Sequence, residues 1–298
     1  MKRRTFIQSG SILIPALWSG ENFLKSLAVD PWTINMLTKE IGIFTERGGT
    51  ILFYLSKAGT VVVDSQFPEQ AGHLIAEIKK KTTQPFEVLI NTHHHGDHSG
   101  GNIAFKDLVK RVLAHSNSKT NQMRVAKERN AEATQLYPSQ TFDKVWSEKI
   151  GKERVTLHYF GAGHTNGDSL IHFEKANIVH MGDLMFNRRH PNVDRSAGAN
   201  IQSWIQVLEE TNKVFNSRTQ YVFGHAAEGY PVTGTHADLM AFKNYLTAVM
   251  EFTSQSIAKG TTLEELVKAT TIPGAPEWKG DGIVRPLTAA FEELTLKK

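Results

Sequence analysis

The run His93-His94-His95-Gly96-Asp97-His98 concentrates metal-binding residue types within six positions. His93 and His95 are two residues apart at the end of an extended segment, so both imidazoles face the same side of the chain. Asp97 and His98 begin the next turn and are expected to point into the same crevice. A surface histidine run is the alternative, but the apolar strand before it and the glycine pair after it argue against that reading.

Three later segments each place a histidine or an aspartate directly after a glycine. They are Gly163-His164, Gly182-Asp183 and Gly224-His225. Glycine lets the backbone approach a metal closely without crowding it. A lone Gly-His pair is more often structural, so these segments gain their meaning from following the first motif. They add His164, Asp183 and His225 to the candidate ligands.

Apolar strands lead into these motifs in both halves of the chain. Strands are predicted at 51–55, 61–64, 87–90, 111–114, 155–160, 169–173, 178–181 and 220–223. Helices are predicted at 68–81, 97–106, 201–214, within 117–135 and over most of the last sixty residues. Two packed sheets with helices outside satisfy this order, which indicates an α/β (α+β) fold.

The order of the candidate ligands resembles the metallo-β-lactamase superfamily over roughly residues 33–226. The glycine-rich stretch at 163–168 and the pair Gly182-Asp183 are also typical of that family. The resemblance implies an αββα sandwich of two mixed β-sheets flanked by helices, with the metals at one edge. It makes residues 29–298 a single domain with a helical C-terminal part.

The same resemblance implies two metal ions per chain. It places one metal on His93, His95 and His164. It places the second on Asp97, His98 and His225, with Asp183 bridging both. Nitrogen and oxygen ligands suit zinc, while manganese and iron remain open. Two such cations can hold a bridging hydroxide that attacks a carbonyl, phosphoryl or sulfuryl centre. Asp97 is the candidate catalytic residue, placed to orient the nucleophile or pass a proton.

Other polar residues are candidates for supporting roles. Asp64 and Asp168 could accept hydrogen bonds from the histidine ligands, or serve as turn and capping residues. His94 faces away from its neighbours and is expected to support rather than to ligate. The basic loop after Asp183 could bind a substrate carboxylate or phosphate, or be an ordinary surface loop. The candidates for substrate binding are Asn187, Arg188, Arg189, His190 and Tyr230.

The first 28 residues read as an export signal. Basic residues at positions 2–4 precede an apolar stretch at 11–18 that is too short to span a bilayer, and small residues follow at Ser26 and Ala28. The segment Arg3-Arg4-Thr5-Phe6-Ile7 also resembles a twin-arginine signal. A mobile basic tail is the alternative reading. The mature protein is expected to be periplasmic or secreted, without stable membrane insertion.

The charge balance argues against a nucleic-acid partner. The formal net charge is +4, but four of the 34 basic residues lie in the first 28 residues, against one of the 30 acidic residues. The remainder is nearly neutral, whereas nucleic-acid binding normally requires a basic face. The chain has no cysteine, which excludes disulfides and thiolate zinc ligands. A small molecule is the expected partner, and the sequence leaves the oligomeric state open.

The expected function is hydrolysis at the carbonyl centre of a lactam, lactone, ester or thioester by an exported dinuclear metal enzyme. Without cysteine, the β-lactamase subclasses that use a cysteine ligand are excluded. A bridging Asp183 departs from the remaining subclass and is closer to the glyoxalase II and lactonase ligand set. The alternatives are a phosphodiester or sulfate-ester hydrolase of the same fold, a mononuclear iron oxidoreductase resembling persulfide dioxygenase, and a non-catalytic metal-binding protein.

Overall fold

The computed structural model of the chain describes residues 31–296. The predicted export signal at 1–28 lies outside the described residues. The strands are β1 (Thr33–Met36), β2 (Ile41–Thr45), β3 (Ile51–Ser56), β4 (Gly59–Val63), β5 (Phe86–Ile90), β6 (Val112–His115), β7 (Gln140–Phe142), β8 (Val145–Ile150), β9 (Glu153–His158), β10 (Leu170–Phe173), β11 (Ile178–His180), β12 (Phe186–Asn187), β13 (Gln220–Val222), β14 (His225–Ala226) and β15 (Thr233–Gly234).

The helices are concentrated in the segments between strands and in the last part of the chain. They are α1 (Pro68–Lys81), α2 (Gly96–Ser99), α3 (Ser116–Glu128), α4 (Ile201–Val214), α5 (His236–Ala258), α6 (Leu263–Leu266) and α7 (Val284–Thr295). Within residues 31–296, no helix combines the length and the apolar character needed to cross a membrane.

The strands form two mixed sheets. The first has the order β1-β2-β3-β4-β5-β6-β7, antiparallel from β1 to β4 and parallel from β4 to β7. The second has the order β15-β13-β11-β10-β9-β8, in which β11 and β13 pair in parallel and the other neighbours are antiparallel. A short parallel pair, β12 with β14, places Phe186 beside His225.

Alternation along the central strands divides their side chains between two cores. In β4, Val61 and Val63 pack between the two sheets, whereas Val62 packs on the side of helix α1. In β5, Ile90 packs between the sheets and Leu89 on the helix side. Successive residues of a strand point to opposite faces, and a strand that is buried on both faces therefore needs the continuous apolar run seen here.

Three apolar cores separate four layers of secondary structure. One lies between the two sheets. A second lies between the first sheet and α1, which contributes Leu74 and Ile78. A third lies between the second sheet and the later helices, and it contains the fully buried Trp204 together with Phe242 and Leu287. The predicted αββα sandwich is confirmed.

The sequence predicts most of these elements, with α1 and α4 at the observed bounds. It does not predict β7 or β8. The strand β8 lies at the edge of the second sheet and alternates partly buried with exposed side chains, including the exposed Val145 and Lys149. An edge strand that is exposed to solvent on one face and partly exposed on the other lacks the alternation of apolar residues by which half-buried strands are predicted.

Candidate metal centre

The candidate ligands meet at one edge of the sandwich because of how the strands end. The histidine run follows β5, and the short helix α2 begins at Gly96. Asp183 lies in a 3₁₀ turn just after β11, and His225 lies just after β13. The pairs β4/β5 and β11/β13 are parallel, so their carboxyl ends open at the same edge of each sheet. Ligands distant in the sequence are thereby brought together.

The first cluster consists of His93, His95, His164 and Asp183, whose ligand atoms all lie within 4.8 Å of one another. His164 Nε2 is 2.8 Å from His95 Nδ1 and 3.3 Å from Asp183 Oδ2. His93 Nε2 is 3.8 Å from the same carboxylate oxygen. Three imidazoles and one carboxylate thus face a common point, which is the donor set of a divalent metal site.

The second cluster consists of Asp97, His98 and His225, also with ligand atoms within 4.8 Å of one another. His225 Nε2 is 3.1 Å from Asp97 Oδ2 and 3.4 Å from His98 Nε2. His98 is fully buried, whereas Asp97 is partly exposed. Asp97 is the most exposed of the candidate ligands, with 31% of its side chain exposed against 19% for His95 and 11% for His225.

Asp183 lies between the two clusters and divides its carboxylate between them. Its Oδ1 is 3.0 Å from His98 Nε2 and 3.5 Å from His225 Nε2. Its Oδ2 faces His93 and His164 instead. One oxygen per cluster is the arrangement of a bridging carboxylate, which is the position that the family resemblance implies.

In three of the histidines, the ring nitrogen that points away from the cluster contacts a group that can only accept a hydrogen bond. His98 Nδ1 is 2.7 Å from Asp64 Oδ2, and His95 Nε2 is 2.9 Å from Asp194 Oδ2. His164 Nδ1 is 2.8 Å from the carbonyl oxygen of Asn192. A carboxylate or a carbonyl oxygen has no proton to donate, so the outer ring nitrogen carries the proton. When such a ring is neutral, its inner nitrogen keeps a lone pair for a metal. Burial opposes protonation of His98, but Asp183 and Asp64 raise its pKa well above the ordinary value, so a metal there would displace a proton.

His93 reaches the same tautomer through Thr92. The Thr92 hydroxyl donates to Asp64 Oδ2 at 2.8 Å, so it can accept a hydrogen bond from His93 Nδ1, 3.0 Å away. The inner His93 Nε2 is buried and has no hydrogen-bond partner among the described residues. A buried polar atom without a partner is costly, and a metal ion would remove that cost. The residues present therefore fit a metal centre.

Neighbouring histidines keep the carboxylates of Asp97 and Asp183 ionised, which is the form that binds cations. Burial opposes ionisation of Asp97, but His225 and His98 bring its pKa down to about 2. Burial also opposes ionisation of Asp183, and the histidines around it hold its pKa well below the ordinary value. Burial lowers the pKa of His164 to about 3, which keeps its ring neutral. Ionised carboxylates and neutral imidazoles are the forms that bind metals.

Two glycines are required by close contacts with the centre. A Cβ on Gly49 would lie 2.1 Å from His98 Cε1, and one on Gly224 would lie 2.0 Å from Asp183 Oδ1. The backbone of each glycine therefore packs directly on a proposed ligand. Thr50, next to Gly49, also donates a backbone hydrogen bond of 2.9 Å to the Gly224 carbonyl, which joins the two sheets at this edge.

The other predicted residues divide into those near the centre and those away from it. Arg189 and His190 line a cavity together with Asp97 and His225. Arg188 turns away from that cavity to Asp238 and Glu277 and packs over the ring of Tyr230. Asn187 is buried and donates to the Pro231 carbonyl. Of the five candidates for substrate binding, the structure brings only Arg189 and His190 to the centre.

The predicted supporting residues also separate. Asp64 contacts a cluster histidine, whereas Asp168 accepts hydrogen bonds from the backbone and hydroxyl of Thr165 and stabilises a turn. Burial raises the pKa of Asp168 to about 7. His94 Nε2 points to Asp194 rather than to a cluster, at 3.5 Å.

Sequence reasoning missed Asp194, which contacts His95 from behind, and Arg285, which lines the cavity beside the second cluster. Neither residue lies in a recognisable motif. Asp194 lies in the loop between β12 and α4, and Arg285 lies in α7. Only the folded chain brings them near the histidines.

Comparison with known proteins decides the family. Residues 44–225 match the family model described as the metallo-beta-lactamase superfamily. The chain belongs to this superfamily. Among curated members, it is 24% identical to metallo-beta-lactamase IND-1 of Chryseobacterium indologenes over 220 residues, which are 72% of this chain and 88% of that protein. It is 26% identical to metallo-beta-lactamase type 2 of Elizabethkingia meningoseptica over 182 residues, which are 61% of this chain and 70% of that protein.

Solved structures of the superfamily share the fold. A metallo-beta-lactamase from Pontibacter korlensis matches with a TM-score of 0.61 and 21% identity, covering 72% of this chain and 99% of that one. A double mutant of the sec-alkyl sulfatase PisA1 matches with a TM-score of 0.69 and 13% identity, covering 88% of this chain and 50% of that one. At these identities the likeness shows the fold alone. Superfamily membership and the two clusters together support a metal-dependent hydrolase.

Proposed function

We propose that this superfamily member is a dinuclear zinc hydrolase that acts on the carbonyl centre of a small molecule. The observation that carries the proposal is the Asp183 carboxylate, which presents one oxygen to each of two histidine clusters. His93, His95 and His164 would hold one cation, and Asp97, His98 and His225 the other. The nitrogen and oxygen donors suit zinc, because imidazoles and carboxylates are both common zinc ligands.

Two bound cations would supply Lewis acidity that polarises a carbonyl and lowers the pKa of water. The protein's own part is to orient and to move protons. Asp97 lines the cavity, and its pKa of about 2 keeps it ionised near neutral pH. Its carboxylate can therefore accept a hydrogen bond from a nucleophile in the cavity and orient it. Asp64, Asp194 and the Asn192 carbonyl hold three of the histidine rings in place.

The carbonyl assignment rests on the curated relatives, which are named metallo-beta-lactamases. A sulfate ester is the second candidate, because the sec-alkyl sulfatase covers more of this chain than the Pontibacter lactamase does. We also propose that residues 1–28 direct export and that residues 29–298 form one domain. A lactam, lactone or ester met outside the cytoplasm is then a more suitable substrate than a cytosolic thioester.

The test is a substrate panel on purified protein whose metal content has been measured. The panel contains a lactam, a lactone, a carboxylic ester, a thioester, a phosphodiester and an alkyl sulfate, with Asp97→Ala as the control variant. We expect two zinc ions per chain, hydrolysis of at least one carbonyl substrate, and a loss of roughly 10²-fold or more in kcat/KM for Asp97→Ala. Activity that survives this substitution contradicts the role of Asp97.

Other outcomes point to the alternatives. One iron per chain would indicate the oxidoreductase. Zinc-loaded protein that is inactive on the whole panel would indicate a binding protein. Turnover of the alkyl sulfate alone would replace the carbonyl assignment with sulfate-ester hydrolysis.

A further inference from the structure

A cavity of about 420 Å³ opens beside the second cluster. Asp97 and His225 form the part of its wall that belongs to the metal centre. The remaining lining residues are polar or cationic apart from one phenylalanine: Phe186, Arg189, His190, Asn192 and Arg285. One side of the cavity therefore borders the proposed cation sites, and the other side carries side chains that can donate hydrogen bonds.

Neither arginine of this wall has a partner among the side chains that the structure describes. Arg189 and Arg285 are exposed, and with those side chains neither forms an ion pair or a side-chain hydrogen bond. Other arginines of the chain behave differently, since Arg188 and Arg195 each pair with two carboxylates. Two unpaired guanidinium groups that line one cavity leave their donors free for a ligand.

The position of Arg285 has no explanation in helix stability. It is the second residue of α7, a helix of 12 residues. A cation near a helix N-terminus opposes the helix dipole, which is unfavourable. No acidic residue in the first turn of α7 offsets that cost. Its guanidinium group contributes a positive charge to the cavity instead.

His190 supplies an independent indication of a ligand. It is 3% exposed, and its Nδ1 is 2.8 Å from the Tyr245 hydroxyl. Burial keeps the pKa of Tyr245 well above its usual value, so the phenol keeps its proton, and His190 Nδ1 is the one acceptor that its hydroxyl contacts among the described residues. The other ring nitrogen, Nε2, then carries a hydrogen, yet it has no partner among the described residues. A buried donor without a partner in a cavity wall calls for an acceptor.

We propose that Arg189, Arg285 and His190 bind an oxyanion of the substrate, so that the substrate of this centre is an acidic small molecule. The inference rests on the proposed hydrolase function and names its substrate class. Guanidinium groups match the planar, bidentate geometry of carboxylate and sulfate oxygens. The oxyanion is either a carboxylate beside the scissile carbonyl or the sulfate of a scissile ester.

The C-terminal segment thereby becomes part of the active centre. The match to the family model ends at residue 225, and Arg285 lies well beyond it. The segment before α7 is seated closely against the cavity, since a Cβ on Gly282 would lie 2.9 Å from His190 Cβ. Substrate recognition therefore includes residues outside the family-matched region.

The experiment compares acidic substrates with their neutral counterparts. A lactam or lactone that carries a free carboxylate is paired with its methyl ester, and both are assayed with metal-loaded wild type, Arg285→Gln, Arg189→Gln and the control Arg218→Gln. Arg218 is an exposed arginine in a different part of the fold. We expect KM for the acid to rise about tenfold in each cavity variant, as for a lost charge-assisted hydrogen bond, and to rise much less for the methyl ester, while Arg218→Gln changes neither. An alkyl sulfate forms the other arm, where a loss in kcat as well as in KM identifies sulfate as the scissile group.

Calorimetric titration with inorganic sulfate tests the subsite without turnover. Sulfate should bind metal-loaded wild type and Arg218→Gln alike, and about tenfold more weakly to Arg285→Gln. If no panel substrate is hydrolysed but this difference appears, the hydrolase proposal fails and the oxyanion subsite stands. If the cavity variants bind sulfate like wild type, or treat acid and methyl ester alike, the subsite is wrong.

Discussion

Asp194 Oδ2 lies 2.9 Å from His95 Nε2, on the side of the imidazole opposite the first cluster. The same carboxylate oxygen is 3.5 Å from His94 Nε2. Burial opposes ionisation of Asp194, but hydrogen bonds from His94 and His95 hold its pKa far below the ordinary value. An ionised acceptor at this position keeps the proton of neutral His95 on Nε2 and leaves the lone pair of Nδ1 facing His164. Asp194 is therefore a positioning residue for the first cluster.

We expect Asp194→Asn to weaken metal binding at the first cluster by about 10- to 100-fold, because second partners of metal-binding histidines have effects of that size. Metal affinity is measured by competition with a chelator. Asp143→Asn is the control, since Asp143 is exposed and uses only its backbone carbonyl to contact His115. Equal metal affinities in the two variants would show that Asp194 does not orient His95.

Asp183→Asn and Asp97→Ala should differ in how many metals they remove. Asp183 faces both clusters, so its substitution is expected to weaken binding of both cations. Asp97 belongs to the second cluster alone, so the Asp97→Ala protein should retain one cation per chain. Metal content after dialysis against dilute chelator measures the difference. Retention of both metals by Asp183→Asn would disprove the bridging role.

Gly49→Ala should displace His98 in the second cluster while leaving every candidate ligand residue unchanged. The added Cβ would lie 2.1 Å from His98 Cε1, and Asp64 prevents the ring from moving away freely. We expect loss of one metal and a fall of about 10²-fold in hydrolysis, as for a displacement of roughly 1 Å at a catalytic centre. Gly72→Ala is the control, because nothing lies near its Cβ on the exposed side of α1. That variant should be fully active and more stable by about 0.5–1 kcal/mol.

The acid sensitivity of the fold should depend on His172, which lies away from the metal centre. Burial and the nearby His158 lower the pKa of His172 from 6.5 to about 4. Between these values the unfolded chain binds a proton that the folded chain does not, so stability falls as the pH decreases from about 6.5 to about 4. His172→Phe removes this contribution and should show a smaller drop in the urea midpoint between pH 7 and pH 5.

Wild type is the reference for that comparison, and both proteins carry the same metal ligands, so loss of metal in acid affects them equally. If the urea midpoints of wild type and His172→Phe fall by the same amount between pH 7 and pH 5, the pKa of His172 does not change on folding.

Much of the fold follows from periodicity. Helix α1 buries Leu74, Ile75 and Ile78 on one face, and this spacing predicts its bounds. Strands that are buried on both faces, such as β4 and β5, are largely apolar and can equally be predicted from the sequence. The edge strand β8 and the two-residue strands β12 and β14 carry no such pattern. Their pairing depends on neighbours that the local sequence does not specify.

The candidate centre divides in the same way. His93, His95, Asp97 and His98 are adjacent in sequence, so their spacing alone predicts that they converge. The sequence shows Asp64 as a polar residue at the end of an apolar strand, but it does not predict the positive φ of 66° or the contact with His98. Asp194 and Arg285 have no local signal. They reach the centre only through the packing of a long loop and a C-terminal helix.

Each cluster takes ligands from both sheets. His93 and His95 follow a strand of the first sheet, whereas His164 and Asp183 belong to segments of the second. Neither candidate site is therefore complete until the two sheets have packed, so metal binding is coupled to that packing. The cellular compartment in which the chain folds then determines which ion it encounters first. If residues 1–28 direct export, as proposed, the choice between zinc, manganese and iron becomes a question of when the chain folds relative to its passage across the membrane.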